Sequence, residues 1–525
     1  MKTSKFPARL KKSIADSFNF QQALKRLKLG KKETPRSWVY EQKSPEWILD
    51  TWVKYLHTLD EDKDLSIISE WDLSKSDKFA PQGEVAPFSE RQHTLSEYWA
   101  HLTPTDVFGS KLWAEAIKVT VRQLGFNRTG HRSSVDAVIS RGISEDKYNT
   151  SSGDPLFVKR RKPEAIAQAK QAALDGTWKL YYPTLGSRAS MGKTGTEARW
   201  IFMFPMSVNL VEQTFQQPLQ DYIREKARRS PVDSPLRFFT PWEGYEKVQL
   251  EQSSHADARY LKFGCDYSKM DQHFNWNHAE QCFEVIKHFF VPKEWPDLYE
   301  SLRYTFFCSV IAPDGLILGP HAMPSGSGWT NFLETVFNLI LVNFIKLKYH
   351  INISFAMGIG DDQLWFVEFK GNVDKLTKLI VSIFESVKLA ANAEKQEVSY
   401  VEMSFLQRHA YEFWSPRGIK YAGVYPTIRA LTSEVFPEFY HNEKIWDKKT
   451  FALRCLMILE NCVNHPLFKE FCIFIANGND NIKDFAKLPD AEILLIRASA
   501  KKIANFIPSY NQEKAEDNPT HFESL

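Results

Sequence analysis

Phe355-Ala-Met-Gly-Ile-Gly-Asp-Asp-Gln-Leu-Trp-Phe-Val367 is an apolar stretch broken at its centre by two adjacent carboxylates, Asp361 and Asp362. Apolar and small residues lead into Gly360, and Leu364 to Val367 lead away. The pattern predicts a β-hairpin with the acidic pair at its turn, where Gly360 tolerates a positive φ. Two neighbouring carboxylates repel each other, and a divalent cation is the usual compensation. An Asp-Asp turn in isolation is more often merely solvated, so the weight falls on what stands upstream. Tyr260-Leu-Lys-Phe-Gly-Cys-Asp-Tyr-Ser-Lys-Met-Asp271 reads as a strand that ends in Asp-x4-Asp. Pro324-Ser-Gly-Ser-Gly-Trp-Thr-Asn331 is a small-residue loop that runs into a long apolar helix. Asp266 and Asp361 are therefore expected on neighbouring strand ends, sharing two metal ions.

The remaining chain sets bounds on this reading. At 525 residues it exceeds the usual single-domain size, so several packed units are expected. A formal net charge of +3 excludes a polycation, yet residues 1–44 carry twelve Lys/Arg against three acids. Such an arm either attracts nucleic acid or keeps a mobile end soluble. No signal-peptide core is visible, and the apolar run within Phe332 to Leu347 reads as too short and too interrupted by Asn to span a bilayer. Six cysteines without a Cys-x2-Cys pairing argue against structural zinc and for a reducing compartment. The expectation is a soluble intracellular protein.

Coarse elements follow from periodicity. Pro163 to Leu174 reads as a helix with proline in its first turn, and Trp200 to Phe204 as a strand. Trp329 to Lys348 reads as a buried helix, and Val373 to Ala391 as an amphipathic one. Beyond about 415 the pattern is helical, broken by Pro437 and Pro466. Gly186-Ser-Arg-Ala-Ser-Met-Gly-Lys-Thr194 nearly imitates a phosphate-binding loop. It has one residue too many between its glycines, and Pro183 spoils the strand that should precede it.

Two metals about 3.5–4 Å apart lower the pKa of an attacking hydroxyl and neutralise a departing pyrophosphate in displacement at an α-phosphate. Oxygen ligands from at least two strands are needed, which Asp266 and Asp361 supply, with Asp362 as a further ligand or nearby charge. Asp-x4-Asp, Ser-Gly-x3-Thr-Asn and Gly-Asp-Asp, in that order, resemble motifs A, B and C of viral RNA-dependent RNA polymerases. Asp266 and Ser325 are 59 residues apart, and Gly326 and Asp361 are 35 apart. Met323 to Asn331 is most similar to the small polymerases of picobirnaviruses and partitiviruses, which have segmented double-stranded RNA genomes.

The resemblance implies an α+β right-hand polymerase, with an antiparallel palm sheet flanked by helices. On it, residues 1–60 are a basic extension and 61–255 the fingers. The palm takes 256–290 and 321–412, joined to the fingers through 291–320; 413–510 is the thumb and 511–525 a polar tail. It implies template-dependent RNA synthesis for replication and transcription of a viral genome. Two Mg²⁺ or Mn²⁺ ions would be bound by Asp266, Asp361 and Asp362, with Lys395 as a motif D general acid toward pyrophosphate. Asp271 and Asn331 would read the ribose of the incoming nucleotide, and Arg188, Lys193 and Arg199 of motif F would hold its triphosphate. Ser152, Gly153 and Pro155 in Thr150 to Pro155 resemble motif G. With Ser325, Gly326 and Thr330 they would contact template RNA. Ser404 to Arg408 resembles motif E. Implied partners are template and nascent RNA, nucleoside triphosphates and a viral capsid protein, with no membrane. The protein would act as a monomer in the virion interior and host cytoplasm. Gln363 departs from the small or hydroxyl residue common after Gly-Asp-Asp, which puts the surroundings of the second ion in doubt. Two rivals were weighed. A reverse transcriptase would carry an aromatic residue where Gly360 stands and a bulky sugar gate where Asp271 stands. A non-catalytic RNA-binding or capsid-associated relative would have lost its acids.

Overall fold

Strands of alternating apolar residues and a few long apolar helices pack into two main cores. The computed structural model describes residues 1–189, 191–192, 194–439, 446–500, 503 and 522–524. The strands among these are β1 (Lys2–Ser4), β2 (Thr184–Arg188), β3 (Arg199–Met203), β4 (Tyr260–Cys265), β5 (Val310–Ala312) and β6 (Gly315–Leu318). They continue as β7 (Ile353–Ile359), β8 (Asp362–Glu368), β9 (Glu397–Ser399), β10 (Glu402–Phe405) and β11 (Arg408–Tyr411).

The central sheet has the order β7-β8-β4-β9, and every neighbouring pair is antiparallel. Its period-two alternation gives it two buried faces. Leu261, Phe263, Trp365 and Val367 join one core with the helices Trp276–Ile286, Trp329–Tyr349 and Val373–Ser386. Leu364 and Phe366 point to the opposite face, against Tyr245, Val248, Met403 and Phe405. A second sheet, β1-β6-β5-β2-β3, is antiparallel except at β2 and β5. The α+β class expected from the sequence is what the chain adopts.

Three expectations are corrected. Trp329–Tyr349 is long and apolar enough to cross a membrane, but 78% of its most apolar window is buried inside the protein. Burial within the core therefore accounts for its apolar surface, rather than the shortness expected of the run. The basic N-terminal segment is docked rather than mobile. β1 pairs with β6, the Arg9 guanidinium grips Asp154, and Val39, Ile48, Trp52 and Leu56 pack with Phe471, Phe474 and other residues of the C-terminal helices. The helix expected over Val373 to Ala391 stops at Ser386, because Lys388 takes a left-handed conformation (φ 64°) and Val387 and Leu389 turn into the core.

The near-miss phosphate loop also resolves. β2 turns back antiparallel as β3, with Arg188 opposite Arg199, and among the described residues the glycines are followed by the single 3₁₀ turn Gly195–Glu197 rather than by an α-helix. A phosphate-binding loop depends on that helix.

Candidate active site

The acidic hairpin forms as its sequence pattern requires. β7 and β8 pair up to Ile359 and Asp362, leaving Gly360 and Asp361 as the turn. β4 pairs with β8 up to Cys265 and Gln363, so Asp266 leaves β4 at the same end. The antiparallel register therefore collects Asp266, Asp361 and Asp362 at one edge of the sheet. Gly360 adopts φ 58°, and a Cβ there would lie 3.2 Å from Asn331 Nδ2 and 3.4 Å from Glu334 Oε2.

The helix Trp329–Tyr349 holds the turn from behind. Gly360 N–H donates to Thr335 Oγ1 at 2.8 Å, and Asn338 Nδ2 donates to the Gly360 carbonyl at 2.8 Å. Tyr267 Oη donates to Asn338 Oδ1 at 3.0 Å and accepts from Gln363 Nε2 at 3.0 Å. Trp365 Nε1 completes the chain by donating to Gln363 Oε1 at 3.1 Å. Gln363 is thus a buried bridge on the face opposite Asp362.

The three carboxyl tips open to solvent in a recess crowded by protein. Each has its pKa raised, first by removal from bulk water. Repulsion adds to it, from Asp361 on Asp266, from Asp271 on Asp361, and from both Asp361 and Asp266 on Asp362, which is pushed up to about 7. Lys395 opposes the shift at Asp266, and Arg199 opposes it at Asp361 and Asp362. Buried Glu334, beside Gly360, is held well above the usual carboxyl range by desolvation and then by Asp361 and Asp271.

Mutually repelling oxygen donors in a recess suit a hard divalent cation. Among the described residues, no three His, Cys, Asp or Glu side chains already converge on one point. Magnesium tolerates this, since it keeps several waters and takes only one or two carboxylates plus substrate phosphates.

The segment after Asp266 turns through Lys269 (φ 56°) into the short helix Met270–His273. Asp271 Oδ2 there accepts from Tyr98 Oη at 2.6 Å and from Ser325 Oγ at 3.0 Å. Ser325 therefore faces Asp271, and not only the expected RNA path. Asn331 lies exposed in the first turn of its helix, with Oδ1 accepting from Trp242 Nε1 at 3.1 Å. Gly326 has φ 131°, and a Cβ there would come within 2.0 Å of the Phe202 carbonyl oxygen. The loop is thus pressed onto β3. Thr330 is half-buried, its Oγ1 3.5 Å from the Pro324 carbonyl.

Arg188 and Arg199 are exposed and directly opposite each other across β2 and β3. Like charges so paired destabilise a sheet unless an anion lies between or beside them. Arg188 also meets Glu438 at 3.3 Å. Lys193 lies outside the described residues. Lys395 is exposed on the turn Ala393–Lys395, and the adjacent Gln396 is bonded twice to the Asp266 backbone, at 3.1 and 2.8 Å.

The residues expected in motif G differ in exposure. Ser152 and Gly153 are buried, with the Ser152 backbone bonded to Val158 and Met206. Ser152 Oγ accepts from Val158 N–H at 3.3 Å within the same loop. Pro155 alone of the three stays partly open.

Sequence reasoning missed several contributors. Thr335 and Asn338 lie four and seven positions after Asn331 on an apolar helix, a polar stripe that was readable. Tyr98, Trp242 and Glu212 had no local signal. Buried Glu212 accepts from Ser327 Oγ at 2.5 Å, Gly328 N–H at 2.8 Å and Asn209 Nδ2 at 2.8 Å, and so holds the loop next to Ser325.

Comparison with known proteins agrees with this geometry. Residues 197–417 match the family model of viral RNA-dependent RNA polymerases. The chain is 27% identical over 469 residues to a potential RNA-dependent RNA polymerase of a human picobirnavirus (strain Human/Thailand/Hy005102/-), covering 86% of this chain and 83% of that one. Crystal structures of a human picobirnavirus RNA-dependent RNA polymerase share its fold at 22% identity. The TM-score is 0.79 over 96% of this chain and 97% of that one. For an insertion-loop deletion mutant the TM-score is 0.78, over 95% and 96%.

Proposed function

We propose, from the premise that this chain is a viral RNA-dependent RNA polymerase of the picobirnavirus type, that Asp266, Asp361 and Asp362 form its catalytic centre for adding ribonucleotides to an RNA 3′ end. The observation that carries the assignment is the shared sheet edge, where the antiparallel register collects all three carboxyls, Asp361 repelling Asp266 and both repelling Asp362. Two bound Mg²⁺ or Mn²⁺ ions, held by these side chains, would activate the 3′-hydroxyl and neutralise charge on the departing pyrophosphate. The chain's own residues do the rest. Arg199 and Arg188, both exposed at the end of the β2–β3 pair, supply forked donors to the triphosphate, with Arg188 exchanging its Glu438 partner for phosphate. Asp271 and Asn331 accept from or donate to the ribose 2′-hydroxyl. A deoxy-sugar leaves those groups unpaired, a loss of about 1–3 kcal/mol. Lys395, next to Asp266, carries the proton for the leaving pyrophosphate.

In this reading the central sheet with its helices is the palm. The β2–β3 sheet and the helices around it are the fingers, and the helices between 427 and 500 are the thumb. Ser325, Gly326 and Thr330 lie along the template side of the palm, with the loop ending at Pro155 supporting it.

The test is primer–template extension by purified Asp266→Ala and Asp361→Ala proteins. Both are expected to keep wild-type far-ultraviolet circular dichroism and to lose detectable nucleotide addition. Substantial synthesis by either would remove the acidic edge from the mechanism.

A further inference from the structure

Asp271 is not a free carboxylate waiting for a sugar, because one of its oxygens is already engaged twice. Tyr98 Oη donates to Oδ2 at 2.6 Å, and Ser325 Oγ donates to the same oxygen at 3.0 Å. Among the described residues no donor is recorded on Oδ1. A carboxylate anchored through one oxygen by two donors has lost the rotation that would let it swing away, while its second oxygen remains available.

The anchor itself is rigid. Tyr98 is 2% exposed, in the short 3₁₀ turn Ser96–Trp99. Its ring packs edge-on to Phe202, with centroids 5.2 Å apart. Its backbone carbonyl accepts from Ala322 N–H at 2.7 Å, and Phe202 N–H donates to the Ser325 carbonyl at 2.9 Å. One phenol thus ties together the segment after Asp266, the loop before the long helix, and strand β3. Asn331, the other expected sugar reader, has a separate anchor in Trp242.

We infer that Tyr98, far from the polymerase motifs in sequence, is a positioning residue for sugar selection: it pins Asp271 Oδ2 so that Oδ1 meets the 2′-hydroxyl of the incoming ribonucleotide. This rests on the proposed role of Asp271. Tyr98→Phe removes one hydroxyl and keeps the ring in its place. The mechanism requires that it affect the substrate bearing a 2′-hydroxyl and spare the one without.

The experiment measures single-nucleotide kcat/KM for a ribonucleoside triphosphate and its 2′-deoxy counterpart. It uses the full chain and its Tyr98→Phe, Asp271→Ala and doubly substituted forms. Tyr98→Phe is expected to lower the ribo-to-deoxy ratio by roughly tenfold, the size of one charge-assisted hydrogen bond. The loss should appear in the ribonucleotide value alone. Added to Asp271→Ala, the same change should do nothing further, since the group it positions is gone. If Tyr98→Phe lowers both substrates equally, or neither, while Asp271→Ala still erases discrimination, the role of Tyr98 is overturned and that of Asp271 stands. If Asp271→Ala itself leaves discrimination intact, both fall together.

Discussion

Asp362 occupies an unfavourable electrostatic position in the molecule's acidic recess. Its carboxyl is raised from 3.8 to about 7, by desolvation and then by Asp361 and Asp266. The unfolded chain releases this proton near the ordinary value, whereas the metal-free folded protein holds it until about 7. Folding therefore takes up a proton in that window, and stability falls as pH rises from about 4 to about 7, remaining low above it. Asp362→Asn should remove this dependence. With a chelator present, its melting temperature is expected to exceed that of the wild type at pH 8 and to match it more closely at pH 4. Added Mg²⁺ should stabilise the wild type more than the variant, through binding to the folded form alone. A melting difference that does not change with pH would show that Asp362 carries no such load. A destabilised acidic site of this kind is the usual cost of keeping charges ready for a ligand.

At the level of elements, the loop before the long helix is held by groups that come from elsewhere. Gly326 lies on β3, Ser325 bonds to Asp271, and Ser327 and Gly328 are gripped by Glu212 on the helix Met206–Arg229. Replacing Glu212 by Ala leaves three donors, on Ser327, Gly328 and Asn209, without their acceptor. The cost is expected to be about 3 kcal/mol, since each unsatisfied buried group costs roughly 1–3 kcal/mol and the three overlap. The urea midpoint should fall accordingly, and extension activity should fall further than stability alone explains, because Ser325 loses its support. Glu212→Gln keeps the volume and one acceptor, and should recover part of both. The polar stripe Asn331, Thr335 and Asn338 makes the same point for the acidic turn. A helix that is otherwise core presents one edge of polar atoms, and that edge holds Gly360 in place.

Across the whole molecule, the N-terminal segment joins regions that the chain's middle leaves apart. Residues near the start complete the β1–β6 edge and pair Arg9 with Asp154. Those just after pack with the C-terminal helices, where buried Asp72 accepts from Thr427 N–H at 2.7 Å and Ile428 N–H at 2.8 Å. Trp52 Nε1 donates to Thr427 Oγ1 at 2.7 Å in the same cluster. Arg9→Ala would leave Asp154 fully buried without its countercharge, at a cost of about 3 kcal/mol. The expected readout is faster amide hydrogen exchange in both the 151–158 loop and residues 8–29. Unchanged exchange in the loop would mean that the segment is attached without supporting it.

Much of the fold and part of the site were legible without coordinates. The β7–β8 hairpin, β4, the strand before Phe204 and the buried helix from Trp329 follow from local periodicity, and local periodicity is a property of neighbouring residues. The acidic residues at 266, 361 and 362 were legible for the same reason, each sitting at the end of a readable strand. Docking of the basic arm was not, because charge composition is silent about which distant surface a helix will meet. Nor were Tyr98, Glu212 and Trp242, whose roles arise from contacts between residues 89 to 173 positions apart. The burial of Ser152 and Gly153 was not legible either, because a loop's composition does not say which way it faces. Chain order thus set the strands and their chemistry, while burial and long-range hydrogen bonding, which depend on the packed whole, decided which side chains hold that chemistry in position.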